Sequence, residues 1–224
     1  MAKNKKMDIV YEDKELLVIN KPAGLLTIAT QKIQFRTAYH EAREYVKKQN
    51  PKNKIFIVHR LDRDTSGVLL FAKNEKLKKE LQTDWNKVAY IREYLAVVEG
   101  KMQKSKGTLK SFLIEDKTHQ VHSSKKGELA ITNYETLLSS KAYSLLKIRI
   151  DTGKKNQIRV QLSELGHPII GDKKYGCTKN PMGRMGLHAS LLGLKIKDKE
   201  YLFRAKVPLE FKKMFESEIK EYES

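Results

Sequence analysis

The 224-residue chain holds a single cysteine, Cys177, which excludes an internal disulfide and any multi-cysteine zinc site. Its fold must hold without such staples, and a reducing compartment, the cytoplasm, is expected. Long apolar runs are missing too: nothing approaches the roughly 18 consecutive apolar residues of a membrane span. The charged opening Met1-Ala2-Lys3-Asn4-Lys5-Lys6-Met7 leads into no apolar segment of signal-peptide length, and residues 1–7 are expected to form a flexible basic N-terminus. No repeat or low-complexity linker divides the chain, so it reads as one domain over residues 1–224. Acidic residues are the other shortage, 27 against 45 Lys and Arg, which leaves a formal charge of +18. An excess of this size attracts polyanions, nucleic acid foremost, or else it reflects a generally lysine-rich surface.

What is present suits a packed domain. Hydrophobic residues make up 40% of the chain, as in ordinary globular proteins. Asp8 to Tyr11 and Glu15 to Asn20 read as strands, the second carrying the unbroken apolar run Leu16-Leu17-Val18-Ile19. Thr37 to Lys48 is helical in pattern. Ile55 to Val58 and Val68 to Ala72 are short strands separated by the polar loop Arg60 to Gly67. Asn74 to Trp85 reads as a surface helix and Tyr90 to Val98 as a strand stopping at Gly100. From Lys101 to Lys126 there are seven lysines and two acids, forming either a basic hairpin or a flexible arm. Tyr143 to Ile150 alternates as a strand does. Asn156 to Leu165 places Ile158, Leu162 and Leu165 on one helical face before Gly166 caps it. Apolar runs at Met185 to Leu194 and Tyr201 to Ala205 follow, and a last amphipathic helix is expected after Pro208. Strands and helices mix without a βαβ rhythm, so the expected class is α+β with a largely antiparallel, mixed sheet and flanking helices.

The loop His59-Arg60-Leu61-Asp62-Arg63-Asp64-Thr65-Ser66-Gly67 is the most informative stretch, because it sets a carboxylate beside two arginines between two strands. Asp64-Thr65-Ser66-Gly67 would also serve as a plain turn. Asp62, Asp64, Ser66 and Gly67 fill four positions of a calcium loop, but Lys73 stands where the bidentate Glu is required, so calcium is rejected. An Asp62 ionised at neutral pH is a ready base or nucleophile, and the structural and catalytic readings both stand at this point. Gly153-Lys154-Lys155 lacks the other residues of a phosphate-binding loop, and His119 with His122 lacks the frame of a zinc protease. No metal and no cofactor are expected.

His59 to Gly67, with Val68-Leu69-Leu70-Phe71-Ala72-Lys73 after it, resembles the signature of RluA-type pseudouridine synthases. Tyr11-Glu12-Asp13 and Val18-Ile19-Asn20-Lys21-Pro22-Ala23-Gly24 resemble that family's opening motif, and Tyr94 to Gly100 its tyrosine strand. Thr152-Gly153, Gln157-Ile158-Arg159-Val160 and Gly166 to Gly176 resemble its third motif, and Leu187-His188-Ala189 and Phe203-Arg204-Ala205 with Pro208 its closing segments. The resemblance implies a catalytic domain that isomerises uridine to pseudouridine in structured rRNA or tRNA after flipping the nucleotide out of its stack. It implies Asp62 as the catalytic carboxylate, Tyr94 against the target uracil, Arg159 pairing with the catalytic carboxylate, and Arg60 contacting RNA near the flipped nucleotide. Arg63, Lys21, Lys104, Lys106, Lys110, Lys154 and Lys155 complete the expected RNA contacts.

Some positions depart from the family pattern. Lys154-Lys155-Asn156 stands where Arg-Thr-His is frequent, Gln161 where His is common, and Arg92 where Lys is frequent; these bear on RNA contacts more than on chemistry. A separate N-terminal RNA-binding domain is not expected, nor a membrane or metal partner, and the chain is expected to be monomeric. The alternative is a non-catalytic RNA-binding or ribosome-assembly factor on the same fold.

Overall fold

The computed structural model describes residues 7–30 and 36–215, so six residues of the expected flexible N-terminus lie outside the described residues. In chain order the elements are β1 (Ile9–Glu12), β2 (Leu16–Lys21), α1 (Ala38–Gln49), β3 (Phe56–Ile57), β4 (Ser66–Ala72), α2 (Glu75–Thr83), α3 (Trp85–Val88), β5 (Ile91–Glu99), β6 (Lys106–Glu115), β7 (Val121–Ser123), β8 (Glu128–Ser139), β9 (Tyr143–Ile150), α4 (Gln157–Glu164), β10 (Leu187–Ile196), β11 (Lys199–Arg204) and α5 (Leu209–Met214). They form two compact units, residues 1–90 with 189–206 and residues 91–188 with 207–224.

In the first unit the strand order is β1-β2-β4-β10, with β3 on β4 and β11 on β10. The run Leu16 to Ile19 is buried because β2 lies between two antiparallel neighbours, β1 and β4. Every residue of β4 is buried. Two helices start on side-chain caps: Thr37 Oγ1 accepts from the His40 amide at 3.1 Å, and Asn74 Oδ1 from the Leu77 amide at 2.7 Å. Leu77 and Leu81 of α2 enter the core cluster of Leu16, Val18, Leu70, Leu194 and Phe203. Full burial of each such leucine is worth about 1.5–3 kcal/mol. The helix expected over Asn74 to Trp85 breaks at Asp84, whose backbone leaves the helical region and whose carbonyl accepts from the Lys87 and Val88 amides to open α3.

The second unit carries the order β5-β9-β8-β6-β7, all antiparallel. The lysine-rich stretch is a hairpin: Asp116 Oδ1 accepts from the amides of Thr118 and Gln120, which folds β6 back into β7. β8 is absent from the sequence reading, because its inward residues Ala130, Thr132 and Tyr134 form no apolar run. Buried Thr132 is satisfied by Gln157 Nε2 at 2.9 Å. α4 lays Ile158 and Leu162 against Ala96, Leu146 and Ile148. It ends as expected at Gly166, where left-handed backbone (φ +88°) lets the Gly166 and His167 amides return to the carbonyls of Ser163 and Leu162. Phe211 of α5, within the expected last helix, joins Val97, Leu145, Ile170 and Cys177. Burial and the neighbouring Glu99, whose Oε1 lies 2.9 Å from the Cys177 sulfur, push that thiol up from its ordinary value.

Both units are thus α+β with largely antiparallel strand pairing, as the sequence predicts. Among the described residues no helix is long and apolar enough to cross a membrane.

Gly67 is the tightest point of the first unit. Its φ is +116°, and a Cβ there would collide with the backbone of Ala189 on β10. Gly67→Ala is expected to lower the unfolding free energy by about 3 kcal/mol or more. Urea denaturation of the two proteins, read by circular dichroism, checks this.

Candidate active site

The loop Arg60–Thr65 is anchored from below by two side chains of the preceding segment. Thr27 Oγ1 donates to the Leu61 carbonyl at 2.7 Å and accepts from the Leu61 amide at 3.2 Å. Lys21, 0% exposed at the end of β2, donates through Nζ to the carbonyls of Pro22, Leu25 and Arg63 at 3.0, 2.7 and 3.0 Å. The Thr65 amide closes the turn onto the Asp62 carbonyl at 3.2 Å. Asp62 is thereby held on a clamped backbone, half-buried, one residue after the buried Leu61. The turn thus spans Asp62 to Thr65, two residues before the expected Asp64 to Gly67, because Ser66 and Gly67 already belong to β4.

Arg60 and Arg63 are exposed. Arg63 lies 3.1 Å from Asp64, a surface pair of little energetic weight. Arg60 has no ion pair among the described residues. Lys21 is a correction to the expected RNA contacts. A fully buried ammonium with three carbonyl acceptors has no donor to turn toward a phosphate, and its work is internal.

In the second unit Tyr94 lies on β5 opposite Ile148, half-buried against the cluster of Ala96, Ile148 and Ile158. Arg159 projects from the first turn of α4. It makes a two-pronged pair with Asp172, Nε to Oδ2 at 2.7 Å and NH2 to Oδ1 at 2.8 Å, and NH1 donates to Asn156 Oδ1 at 3.0 Å. Its guanidinium also stands 5.0 Å from the centroid of the Tyr175 ring. Such a fork fixes the guanidinium plane. Asp172 carried no role in the sequence reading, although it sits inside the segment Gly166 to Gly176. The available signal was a carboxylate between Gly171 and two lysines, too ordinary to single out.

The departures Asn156, Gln161 and Arg92 are buried rather than presented to RNA. Asn156 takes left-handed backbone at the start of α4 and donates to Tyr175 Oη at 2.8 Å. Gln161 Nε2 reaches the carbonyls of Leu109 and Ala130 and the Ser111 hydroxyl. Arg92 donates to the Asp151 carbonyl at 2.6 Å, and burial pushes its guanidinium below its ordinary value. Lys154 and Lys155 are tied to Glu128 and Glu115. Lys104 and Lys110 are exposed, and Lys106 is paired with Glu135 at 2.9 Å. Among the described residues no group of three or more His, Cys, Asp or Glu side chains could hold a metal ion.

Residues 15–164 match the family model described as RNA pseudouridylate synthase. The chain belongs to this pseudouridine synthase family. The RluA-type character read from its motifs agrees with its relatives. It is 36% identical over 188 residues to a Bacillus subtilis protein called uncharacterized RNA pseudouridine synthase YhcT, covering 82% of this chain and 62% of that one. It is 37% identical to ribosomal large subunit pseudouridine synthase C of Rickettsia felis, covering 92% of this chain and 70% of the relative. Human RNA Pseudouridylate Synthase Domain Containing 4 shares the fold, with a TM-score of 0.76 at 24% identity over 90% of this chain and 88% of that one. The matched residues of this synthase-family chain include Asp62, Tyr94 and Arg159 and stop short of Asp172.

Replacing Lys21 with Met keeps the length of the side chain but leaves the buried Leu25 carbonyl and the part-buried carbonyls of Pro22 and Arg63 without their shared donor. Lys21→Met is expected to cost about 2–4 kcal/mol of stability. A chemical denaturation midpoint equal to that of the unmodified protein would contradict the clamp.

Proposed function

We propose that this chain isomerises uridine to pseudouridine in structured rRNA or tRNA, with Asp62 as the catalytic carboxylate. The observation that supports this most is the clamped loop: in a chain of the pseudouridine synthase family, Asp62 of the matching motif stands on backbone held by Thr27 and Lys21, while the motif's other carboxylate, Asp64, is paired with Arg63. The reaction breaks the bond between C1′ of the ribose and N1 of uracil, turns the base, and joins C1′ to C5. The proton leaving C5 is balanced by one gained at N1. No oxidant, hydrolytic water or metal enters the balance. A carboxylate serves it in either of two ways, by attack on C1′ or by removing the neighbouring ribose proton to give a glycal. In this reading Tyr94 offers an aromatic face for the flipped uracil, and Arg159, whose fork is engaged by Asp172, supplies the positive charge that the resemblance pairs with the catalytic carboxylate. Arg60 and Arg63, being exposed, are suited to phosphates beside the flipped nucleotide.

Asp62→Asn removes a charge and almost no volume. It is expected to abolish pseudouridine formation while RNA affinity stays within a few-fold, read by primer extension after carbodiimide modification of ribosomal and transfer RNA. Arg159→Ala should lose most turnover, and Arg159→Lys should recover only part, since an ammonium cannot present two parallel donors. Turnover by Asp62→Asn equal to the unmodified protein's sinks the assignment. RNA binding with no turnover by the unmodified protein on any of these RNAs would identify a non-catalytic binding factor instead.

The +18 charge implies several phosphate contacts, so log affinity for RNA should fall linearly and steeply with log salt. Replacing Lys104, Lys106 and Lys110 together with Gln should make that slope shallower by about two to three phosphates. Filter binding between roughly 50 and 200 mM salt reads both. An unchanged slope would show that these lysines face only water.

A further inference from the structure

One face of the β6–β8 ladder packs under α4, through Gln161 onto Leu109 and Ser111 and through Leu113 onto Val160 and Tyr175. Among the described residues the opposite face is open, with Phe112, Ile114 and Leu129 exposed. Because side chains alternate along β6, Lys106, Thr108, Lys110, Phe112 and Ile114 share that open face. The register sets Phe112 directly opposite Leu129, Lys110 opposite Ile131, and Ile114 opposite His122 of β7. Directly opposed side chains in an antiparallel pair are in contact range. Phe112, Leu129 and Ile114 are 51%, 43% and 36% exposed, so three large apolar side chains gather on a sheet surface facing water. Isolated exposed apolar residues need no explanation, but a contiguous group is a candidate contact surface.

Among the described residues around this patch the unpaired cations outnumber the unpaired acids, of which Asp116 in the β6–β7 turn accepts only from Thr118 and Gln120. The Ser124 amide donates to the Phe112 carbonyl at 2.8 Å, and the Gly127 amide closes a turn onto the Ser124 carbonyl at 2.9 Å. The two residues at the tip of that turn, beside Phe112, are Lys125 and Lys126, both exposed. Among the described residues neither they nor Lys110 has an ion pair. Three other neighbouring acids are already engaged: Glu128 with Lys154, Glu115 with Lys155, and Glu135 with both Lys106 and Lys147.

We propose that the open face of β6, β7 and β8 is a second RNA contact, where an unpaired base of the substrate stacks on Phe112 while Lys110, Lys125 and Lys126 meet the phosphates flanking it. A sheet face bearing an exposed aromatic ring beside lysines without ion pairs has the two parts that single-stranded RNA binding requires, a stacking platform and an electrostatic track. A second copy of this chain fits the face less well, since it would bring a further +18 against the same lysines. The proposal rests on the reading that the chain acts on RNA, and it places the contact on single-stranded flanks of the target, apart from the flipped uridine.

The test uses the full chain and a 12-nucleotide single-stranded RNA carrying 2-aminopurine, with the blunt duplex of the same sequence as control. Phe112→Ala is expected to weaken single-strand binding about tenfold and to remove the quenching of 2-aminopurine that stacking causes, with the duplex little affected. Phe112→Trp should keep both signals. Lys110→Gln should make the salt slope shallower by about one phosphate and leave the quenching in place. Because Phe112 is exposed, these variants do not disturb the core, and circular dichroism confirms that they fold. Unchanged affinity and quenching in Phe112→Ala would overturn the platform. So would sedimentation showing a dimer of the unmodified chain that Phe112→Ala dissociates, which would make the face a protein interface. Asp62→Asn separates the two readings: if it still turns over, the catalytic assignment fails while the platform stands, and if it is inactive while Phe112→Ala binds normally, only the platform fails.

Discussion

A loop that must hold a carboxylate still has to find acceptors and donors for its own backbone first. In this chain one buried ammonium meets much of that need. Lys21 Nζ gathers the carbonyls of Pro22, Leu25 and Arg63, joining the end of β2 to the far side of the loop that carries Asp62. An unpaired ammonium could not be buried at such depth, and the buried Leu25 carbonyl would lack a donor without it. Each makes the other tolerable, so the strand end and the loop are fixed as one piece. Thr27, clasping Leu61 from both its amide and its carbonyl, removes the freedom that remains. The same rule governs α4, where Arg159 and Asp172 bury together through a two-pronged pair and neither would be stable there alone.

The sequence disclosed what depends on local pattern. The run Leu16 to Ile19 reads as a buried strand. The spacing of Ile158 and Leu162 marked one face of α4, and Gly166 marked its end. The loop around Asp62 stood out through residue types that either turn a chain or perform chemistry. What stayed hidden depends on partners distant in sequence. β8 escaped because its inward positions are Ala130, Thr132 and Tyr134, and Thr132 is tolerated inside only because Gln157 reaches it. Lys21 read as an RNA contact because lysine at a strand end normally faces water; nothing near it in sequence says that Arg63 supplies an acceptor. Asp172 was invisible for the same reason, since its meaning lies in Arg159.

Charge is also unevenly spent. Four lysines of the second unit are held in pairs: Lys106 and Lys147 on Glu135, Lys154 on Glu128, Lys155 on Glu115. Glu135, between two lysines, has its carboxyl pulled down to about 2. Such exposed pairs add little stability, yet they decide which cations remain available to an incoming polyanion. Net charge read from composition states the strength of the attraction; the pairing pattern gives its direction across the surface.

The buried thiol of Cys177 has a practical corollary. A chain whose one sulfhydryl is buried beside Glu99 in the core of its unit, with its pKa pushed up, is expected to resist alkylating reagents while folded. Any cysteine installed on the surface would then be the sole reactive thiol. Spectroscopic probes could be attached one at a time to the native sequence background, and distances from either unit to a bound RNA measured without first removing Cys177.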